Sequence, residues 1–252
     1  MENIEQTAKY KFLSRDAIKY IAMAAMLLNH IANIFLQTGT WMCEIFMALG
    51  YFTAISMIYF LVEGYRYTRS RKTYFFRLLI FAAVSEIPYC IAFAEGDIIE
   101  FYGLNMFFTL CICFGLIWVM DNVSNKALHI GAVIGAVILS IPCSWALLAP
   151  VFTLLFIWAE NSRSKKKAAF VISIGLFGAF NLLGGISNFD PATNLLYAVL
   201  AISGMSLSAV CILCFYNGKR MKSGQIFSKW FFYVFYPLHL LILGMIRIAI
   251  TR

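Results

Sequence analysis

The sequence predicts an all-α, polytopic bundle of about nine transmembrane helices with its N-terminus in the cytoplasm. Three observations predict it. Apolar runs long enough to cross a membrane recur from residue 16 to residue 249. Hydrophobic residues make up 62% of the 252 positions, and the mean hydropathy is +0.81, which sets the chain apart from soluble domains carrying a single anchor. Lys and Arg gather in alternate connections, as orientation in a membrane demands. The apolar runs are continuous and lack the dyad alternation of a spanning β-barrel.

The expected spans are 16–36, 41–62, 74–93, 104–120, 127–141, 145–159, 168–183, 194–215 and 230–249. The first is too long for the apolar region of a cleaved leader, and no small-residue cleavage site follows it, so it is expected to stay as a span. The second runs up to a basic segment at 66–72. The third carries Glu86 and Pro88, and the proline is expected to kink it. The fourth opens at Asn105. The fifth and sixth are short, and Pro142 and Pro150 interrupt them. They read as two thin tilted helices or as a re-entrant pair, and either way the sides assigned downstream are the same. The seventh follows Arg163 and Lys165 to Lys167; the ninth follows Lys219 to Lys229 and carries His239. No internal repeat and no dividing linker is visible, so 1–252 reads as one domain.

With the N-terminus inside, every one of the 20 Lys and Arg except Arg247 and Arg252 falls on the cytoplasmic side. Lys9, at the start, belongs to that count. The formal net charge of +8 is therefore a matter of topology and of contact with anionic lipid, not of nucleic acid. The acidic loop Glu95, Asp97, Glu100 falls outside. The seven cysteines sit mostly in apolar helices. Cys111 with Cys113 and Cys211 with Cys214 resemble metal spacings, but no second cluster or adjacent histidine completes four ligands, so no metal is expected and they read as core residues. No Gly-rich phosphate loop, zinc-protease helix or nucleophile elbow is present.

Two constellations carry chemistry. Lys19 and His30 are eleven residues apart on the first helix, close to three turns, so they share a face about 16 Å apart along the axis. Lys19 can snorkel to water. His30, three turns deeper, cannot, and it must face the protein interior or a wet cavity, which makes it a functional candidate unless it is a satisfied interhelical histidine. The second is FLVEGYRYTRSRKTYFFR at 60–77, in which Arg66, Arg69, Arg71 and Lys72 alternate with Tyr65 and Tyr67. It reads as a stop signal touching lipid headgroups, or as a site for a cytosolic polyphosphate, since guanidinium forks match phosphate oxygens. Glu63 is expected to pair with Arg66 one turn on. Glu86 needs a buried partner or lines a pocket. Asn105 and Tyr236 read as interhelical contacts, His239 as a mid-membrane residue for which packing is one role, and His129 as structural.

Lys19 and His30 followed by Arg66 and Arg69 resemble the signature of the membrane acyltransferase-3 superfamily. MLLNHI at 26–31, FLVEGYRYTRSRKTYFFRLLIFAAVSEIPY at 60–89, LNMFFTL at 104–110, YNGKR at 216–220 and KWFFYVFYPLHLL at 229–241 are similar, in the same order, to its TraX branch of pilin-acetylating membrane proteins. The family pattern has Asp before the histidine where this chain has Asn29, and Gly-Arg with a proline where it reads GYFTAIS at 50–56. The resemblance implies a multi-pass protein of the bacterial cytoplasmic membrane that moves an acetyl or other acyl group from cytosolic acyl-CoA to an amine or hydroxyl on a peptide, glycan or lipid. It implies His30 as catalytic base; Lys19, Arg66, Arg69, Arg71 and Lys72 as holding acetyl-CoA; and Glu63, Glu86, Asn105, Tyr236 and His239 as a substrate pocket. The other readings are a proton-coupled transporter using His30, Glu86 and His239, which the lack of an internal repeat disfavours, and a non-catalytic membrane partner.

Overall fold

The computed structural model describes residues 10–251; Lys9 and Arg252, two members of the charge pattern, lie outside the described residues. Nine α-helices occur among them: α1 (Arg15–Phe35), α2 (Trp41–Tyr67), α3 (Arg71–Phe93), α4 (Met106–Asn122), α5 (Lys126–Ser140), α6 (Leu148–Ala159), α7 (Arg163–Gly185), α8 (Pro191–Val210) and α9 (Gln225–Thr251). A π-helical turn, Cys211–Phe215, continues α8. Each helix falls on a predicted span. Six of them, α1, α2, α3, α7, α8 with its π turn, and α9, are long and apolar enough to cross a membrane, and the chain is a multi-pass membrane protein. The other three are shorter apolar helices. At about 1.5 Å per residue, none of the three reaches the roughly 30 Å of a hydrocarbon core as a straight rod.

The chain folds as two compact units interleaved in sequence, Met1–Met57 with Asn161–Phe232, and Ile58–Glu160 with Tyr233–Arg252. The divisions fall inside α2, between α6 and α7, and inside α9.

In the first unit, the segment before α1 is tied to the segment after the π turn. Leu13 N–H donates to Phe215 O (3.0 Å), Asn217 N–H to Leu13 O (2.9 Å) and Arg15 N–H to Lys219 O (2.8 Å). Gly218 turns the returning segment at φ +75°, a conformation that glycine adopts without steric cost. Ser14 caps α1 by accepting from Ala17 N–H. Asp16, only 3% exposed, accepts from Met221 N–H and from Ser228 Oγ, both at 2.8 Å. This satisfies a carboxylate that would otherwise be costly to bury.

Small residues let α2 and α8 meet. Ser56 and Ser208, both fully buried, share a hydrogen bond of 2.7 Å. One turn before Ser208, a methyl group on Gly204 would stand 1.7 Å from the Ala48 carbonyl oxygen. In lipid, helices associate through such close approach. Gly204→Ala is expected to destabilise the protein by about 1–3 kcal/mol through overpacking. Thermal unfolding in detergent beside wild type checks this; an unchanged midpoint would mean that the two backbones do not meet there.

In the second unit, α4, α5 and α6 run back and forth. Leu104 N–H donates to Pro142 O (2.7 Å) and Ser144 N–H to Leu104 O (2.9 Å), while Thr109 Oγ1 donates to Ser144 O (2.6 Å). The turn between α5 and α6 is thus pinned to the start of α4, so the short pair travels the length of α4 and returns. At the end of α9, Arg247 donates to the carbonyls of Ile91 (3.2 Å), Asp97 (2.9 Å) and Ile98 (3.1 Å). An arginine that stood apart in the charge pattern holds the loop after α3.

Candidate functional site

Lys19 and His30 lie on α1, in the first unit. The face that α1 buries is built from Ile18, Ala22, Ala25, Met26 and Ala32. Lys19 and His30 are both half-buried, and the Lys19 ammonium stands 5.0 Å from the centroid of the Phe232 ring, a cation–π distance. Asn29 precedes the histidine. Its carboxamide nitrogen points to Met47 O (3.3 Å) and Met47 Sδ (3.5 Å) on α2. It fills the space opposite Gly50, where an added methyl would come within 2.2 Å of Asn29 Cβ. The residue before His30 is therefore a helix-to-helix wedge.

Arg66, Arg69, Arg71 and Lys72 lie in the second unit, where α2 ends and α3 begins. Arg69 and Lys72 are exposed. Arg66 binds two carboxylates, Asp121 at the end of α4 and Glu160 after α6, the latter through Nε at 2.7 Å. Arg71 joins Asp121 at 3.0 Å and lies over the Tyr65 ring, 4.4 Å from its centroid. The pairing of Arg66 with Glu63 expected from the sequence gives way to these two partners. Glu63 itself is half-buried one turn before Arg66 on α2. Asp121 lies beyond the apolar stretch of α4, and the hydrogen bond from Arg66 holds its carboxyl below the ordinary value of 3.8. A depressed carboxyl stabilises the fold fully above that ordinary value, and the contribution is lost only as pH falls through the lower folded one. The side chains are 33%, 22% and 20% exposed for Arg66, Asp121 and Glu160, and pairs so open to water contribute about 0–1 kcal/mol each. An incoming polyanion can exchange with carboxylates held this weakly.

Glu86, Asn105, Tyr236 and His239 come together in the second unit. Glu86 Oε2 accepts from Asn105 Nδ2 (2.7 Å) and from Asn105 N–H (3.2 Å). Asn105 Nδ2 also donates to Ala82 O (2.8 Å), and its oxygen caps α4 by accepting from Phe107 N–H (2.9 Å). The next amide, Met106 N–H, donates to the Tyr236 hydroxyl (3.3 Å). Tyr236 stands edge-on to His239 with ring centroids 5.7 Å apart. His239 is 5% exposed and its Nδ1 lies 2.7 Å from Phe235 O. Since a carbonyl only accepts, Nδ1 carries the proton and Nε2 is the ring's basic nitrogen. This is a buried polar network in apolar surroundings, where satisfied hydrogen bonds fix geometry.

Sequence reasoning missed Asp16, Asp121 and Glu160. Asp121 and Glu160 carried a signal, since each is an acidic residue closing an apolar run on the side where the basic residues gather. Asp16, between Arg15 and Lys19, looked like one more interfacial charge.

Among known proteins, the TraX protein family matches this chain over residues 14–247. The chain is also similar to the probable fimbrial assembly protein FimC, serogroup H1, of Dichelobacter nodosus, at 28% identity over 233 residues covering 90% of this chain and 92% of that one. No solved structure matches it. The family match runs from the Ser14 cap of α1 to the Arg247 anchor on α9, taking in every helix described above, and the chain belongs to the TraX family.

Proposed function

We propose that the protein is a membrane-embedded acyltransferase that moves an acetyl or other acyl group from cytosolic acyl-CoA to an amine or hydroxyl on an acceptor at the bacterial cytoplasmic membrane, as the acyltransferase-3 superfamily is read to do. The observation that carries this reading is His30, an ionisable half-buried side chain deep in an apolar helix, which is functional by default. Family membership supports it. The relative described as a probable fimbrial assembly protein makes a surface-fibre subunit the leading acceptor.

Imidazole is the side chain suited to act as a base near neutral pH, and on this reading His30 is that base. The attacking group is a hydroxyl, or an amine that has first released one proton from its ammonium form to water, and His30 takes the remaining proton that this group must lose as it attacks the thioester carbonyl. The carbon–sulfur bond breaks, and the leaving thiolate takes the proton from the imidazolium. In the second unit, Arg69 and Lys72, with Arg66 and Arg71 released from Asp121 and Glu160, hold phosphates at the cytoplasmic face; Lys19, in the first unit, is the further cation that the family reading assigns to the donor. Glu86, Asn105, Tyr236 and His239 give a polar wall within the membrane, and Glu63 stands beside the basic end of α2. Labelled acetyl-CoA supplied to proteoliposomes tests the reading: label is expected on a fibre-subunit peptide, and its absence from peptide, glycan and lipid alike would overturn it.

The orientation is part of this proposal. In intact cells, Ser187→Cys in the loop between α7 and α8 is expected to react with an impermeant maleimide, and Ser164→Cys at the start of α7 to react only after permeabilisation. Labelling of the Ser164 variant in intact cells would reverse the orientation and remove the route from cytosolic donor to outward acceptor.

A further inference from the structure

The first unit contains a cavity of about 350 Å³ that none of the roles above uses. That volume lies within the range of about 300–1,000 Å³ usual for small-molecule sites. It is walled by the end of α1, the start of α2, the end of α7 and the start of α8, and its polar side chains include Asn33, Glu44, Asn181 and Asn194. Their hydrogen-bonding capacity can be counted. Asn33 Nδ2 donates to Asn29 O (2.8 Å), Asn181 Nδ2 to Phe177 O (2.8 Å) and Asn194 Nδ2 to Leu182 O (2.9 Å). Asn33 Nδ2 also meets Asn29 Oδ1 (3.1 Å) and Met47 Sδ (2.9 Å), and Asn194 packs its carboxamide oxygen against Gly185, so the carbonyl oxygens of Asn33 and Asn181 are the carboxamide acceptors left for a ligand. Glu44 accepts from Gly39 N–H (3.0 Å) through Oε1, and its carboxylate has capacity for more than one donor. No Lys, Arg or His is among the described residues that line the cavity. Phe189 and Tyr197 line it too, edge to face with centroids 5.0 Å apart.

A cavity rich in acceptors, carrying one carboxylate and no cationic side chain, repels phosphates and carboxylates. It is therefore unsuited to the acyl donor. It suits a group that carries positive charge and several N–H donors, and aromatic faces add to the attraction for such a cation. We propose that this cavity binds a primary ammonium group, with Glu44 as its counter-charge and the carbonyl oxygens of Asn33 and Asn181 as its acceptors. Asn33 lies three residues beyond His30 on α1, so the two side chains leave neighbouring faces of one helix. On the acyl-transfer reading, which this role rests on, the cavity holds the acceptor amine on the side of the loops that follow α1 and α7. A peptide N-terminus and an ethanolamine lipid headgroup both present this chemistry.

The test measures binding separately from transfer. The full chain in phosphatidylcholine nanodiscs is titrated by calorimetry with alanylphenylalaninamide, with its N-acetyl form and with ethanolamine. The free amine is expected to bind and the acetylated form to bind at least about tenfold more weakly, the worth of one charge-assisted hydrogen bond. Glu44→Gln keeps an oxygen for Gly39 N–H, and it is expected to weaken the free amine by about the same factor and to erase the difference between the two forms. Ethanolamine binding as well as the dipeptide assigns the site to a headgroup; binding of the dipeptide alone assigns it to a peptide. Equal affinity for free and acetylated forms, no binding of any amine, or an unchanged affinity in a Glu44→Gln protein that melts like wild type would each overturn the proposal. Amine binding that depends on Glu44 without transfer from labelled acetyl-CoA would leave the cavity assigned and remove the enzymatic reading. Transfer indifferent to Glu44 would leave the enzymatic reading and overturn the cavity's role as the acceptor site.

Discussion

Replacing His30 with alanine is expected to reduce acyl transfer by about 10²–10⁴-fold, the usual contribution of a positioned acid–base group, while donor affinity stays within about twofold. The asymmetry comes from the chemistry. An ammonium or hydroxyl acceptor is a poor nucleophile until a proton leaves it, whereas the donor's phosphates are held by fixed positive charge. Single-turnover transfer and equilibrium binding of acetyl-CoA, measured on the same preparation, separate the two. A variant that transfers like wild type would make His30 a packing residue. The pH profile adds a second reading, since a histidine base loses competence as pH falls through its pKa and the alanine variant's residual rate would not share that limb. Asn29 sets a bound on repairing the family pattern. Its Nδ2 faces the Met47 carbonyl at 3.3 Å, so Asn29→Asp alone would set a carboxylate against a carbonyl and is expected to lower stability rather than raise activity.

The joint replacement of Arg66 and Arg69 by alanine is expected to weaken acyl-CoA binding by about 1.5–3 kcal/mol for each charge-assisted hydrogen bond to phosphate that it removes, or roughly 10²- to 10⁴-fold for the pair. Because Arg66 and Arg71 share Asp121, the opposite change is also predicted. Asp121→Asn removes the competitor and is expected to tighten donor binding. Calorimetry on both variants decides between two meanings of the same geometry. If the arginine pair can be removed without effect and Asp121→Asn only lowers the melting temperature, the network is a clamp across the ends of α2, α4 and α6 and takes no part in binding.

The positions of the helices were legible because apolar length and charge clusters mark them directly. Trp41–Tyr67 ends among the arginines, and Arg163–Gly185 begins among the lysines. The length of the middle three was harder to read, since Pro142 signals a break but not that Leu104 will receive it. Of the candidate pocket, Glu86, Asn105, Tyr236 and His239 could be picked out because polar groups in apolar helices need partners. That they would be partners to one another depends on helix packing, which periodicity does not encode. The same limit hid Asp121 and Glu160. Arg66 had a carboxylate one turn away at Glu63, and local proximity favoured it; residues 55 and 94 positions distant in the chain took its place. Asn29 was visible as a departure from a family pattern, and Gly50 only as the first residue of a stretch, 50–56, that departs from it further on. Only the fold shows that they touch, and thus that a change at one constrains the other.

The tie between Asp16 and Ser228 joins residues 212 apart in sequence, and this has a consequence for biogenesis. The chain is made from its N-terminus, so α1 is made before α2 to α9, yet Met221 and Ser228 emerge only after seven further helices. Pairings of such long separation are rewarded only once the intervening loop has closed. Until then the Asp16 carboxylate keeps its water, and the first turn of α1 waits at the interface without its lock. A helix made early is thus among the last to be secured, and a chain stopped before α9 would hold α1 with its first turn still open.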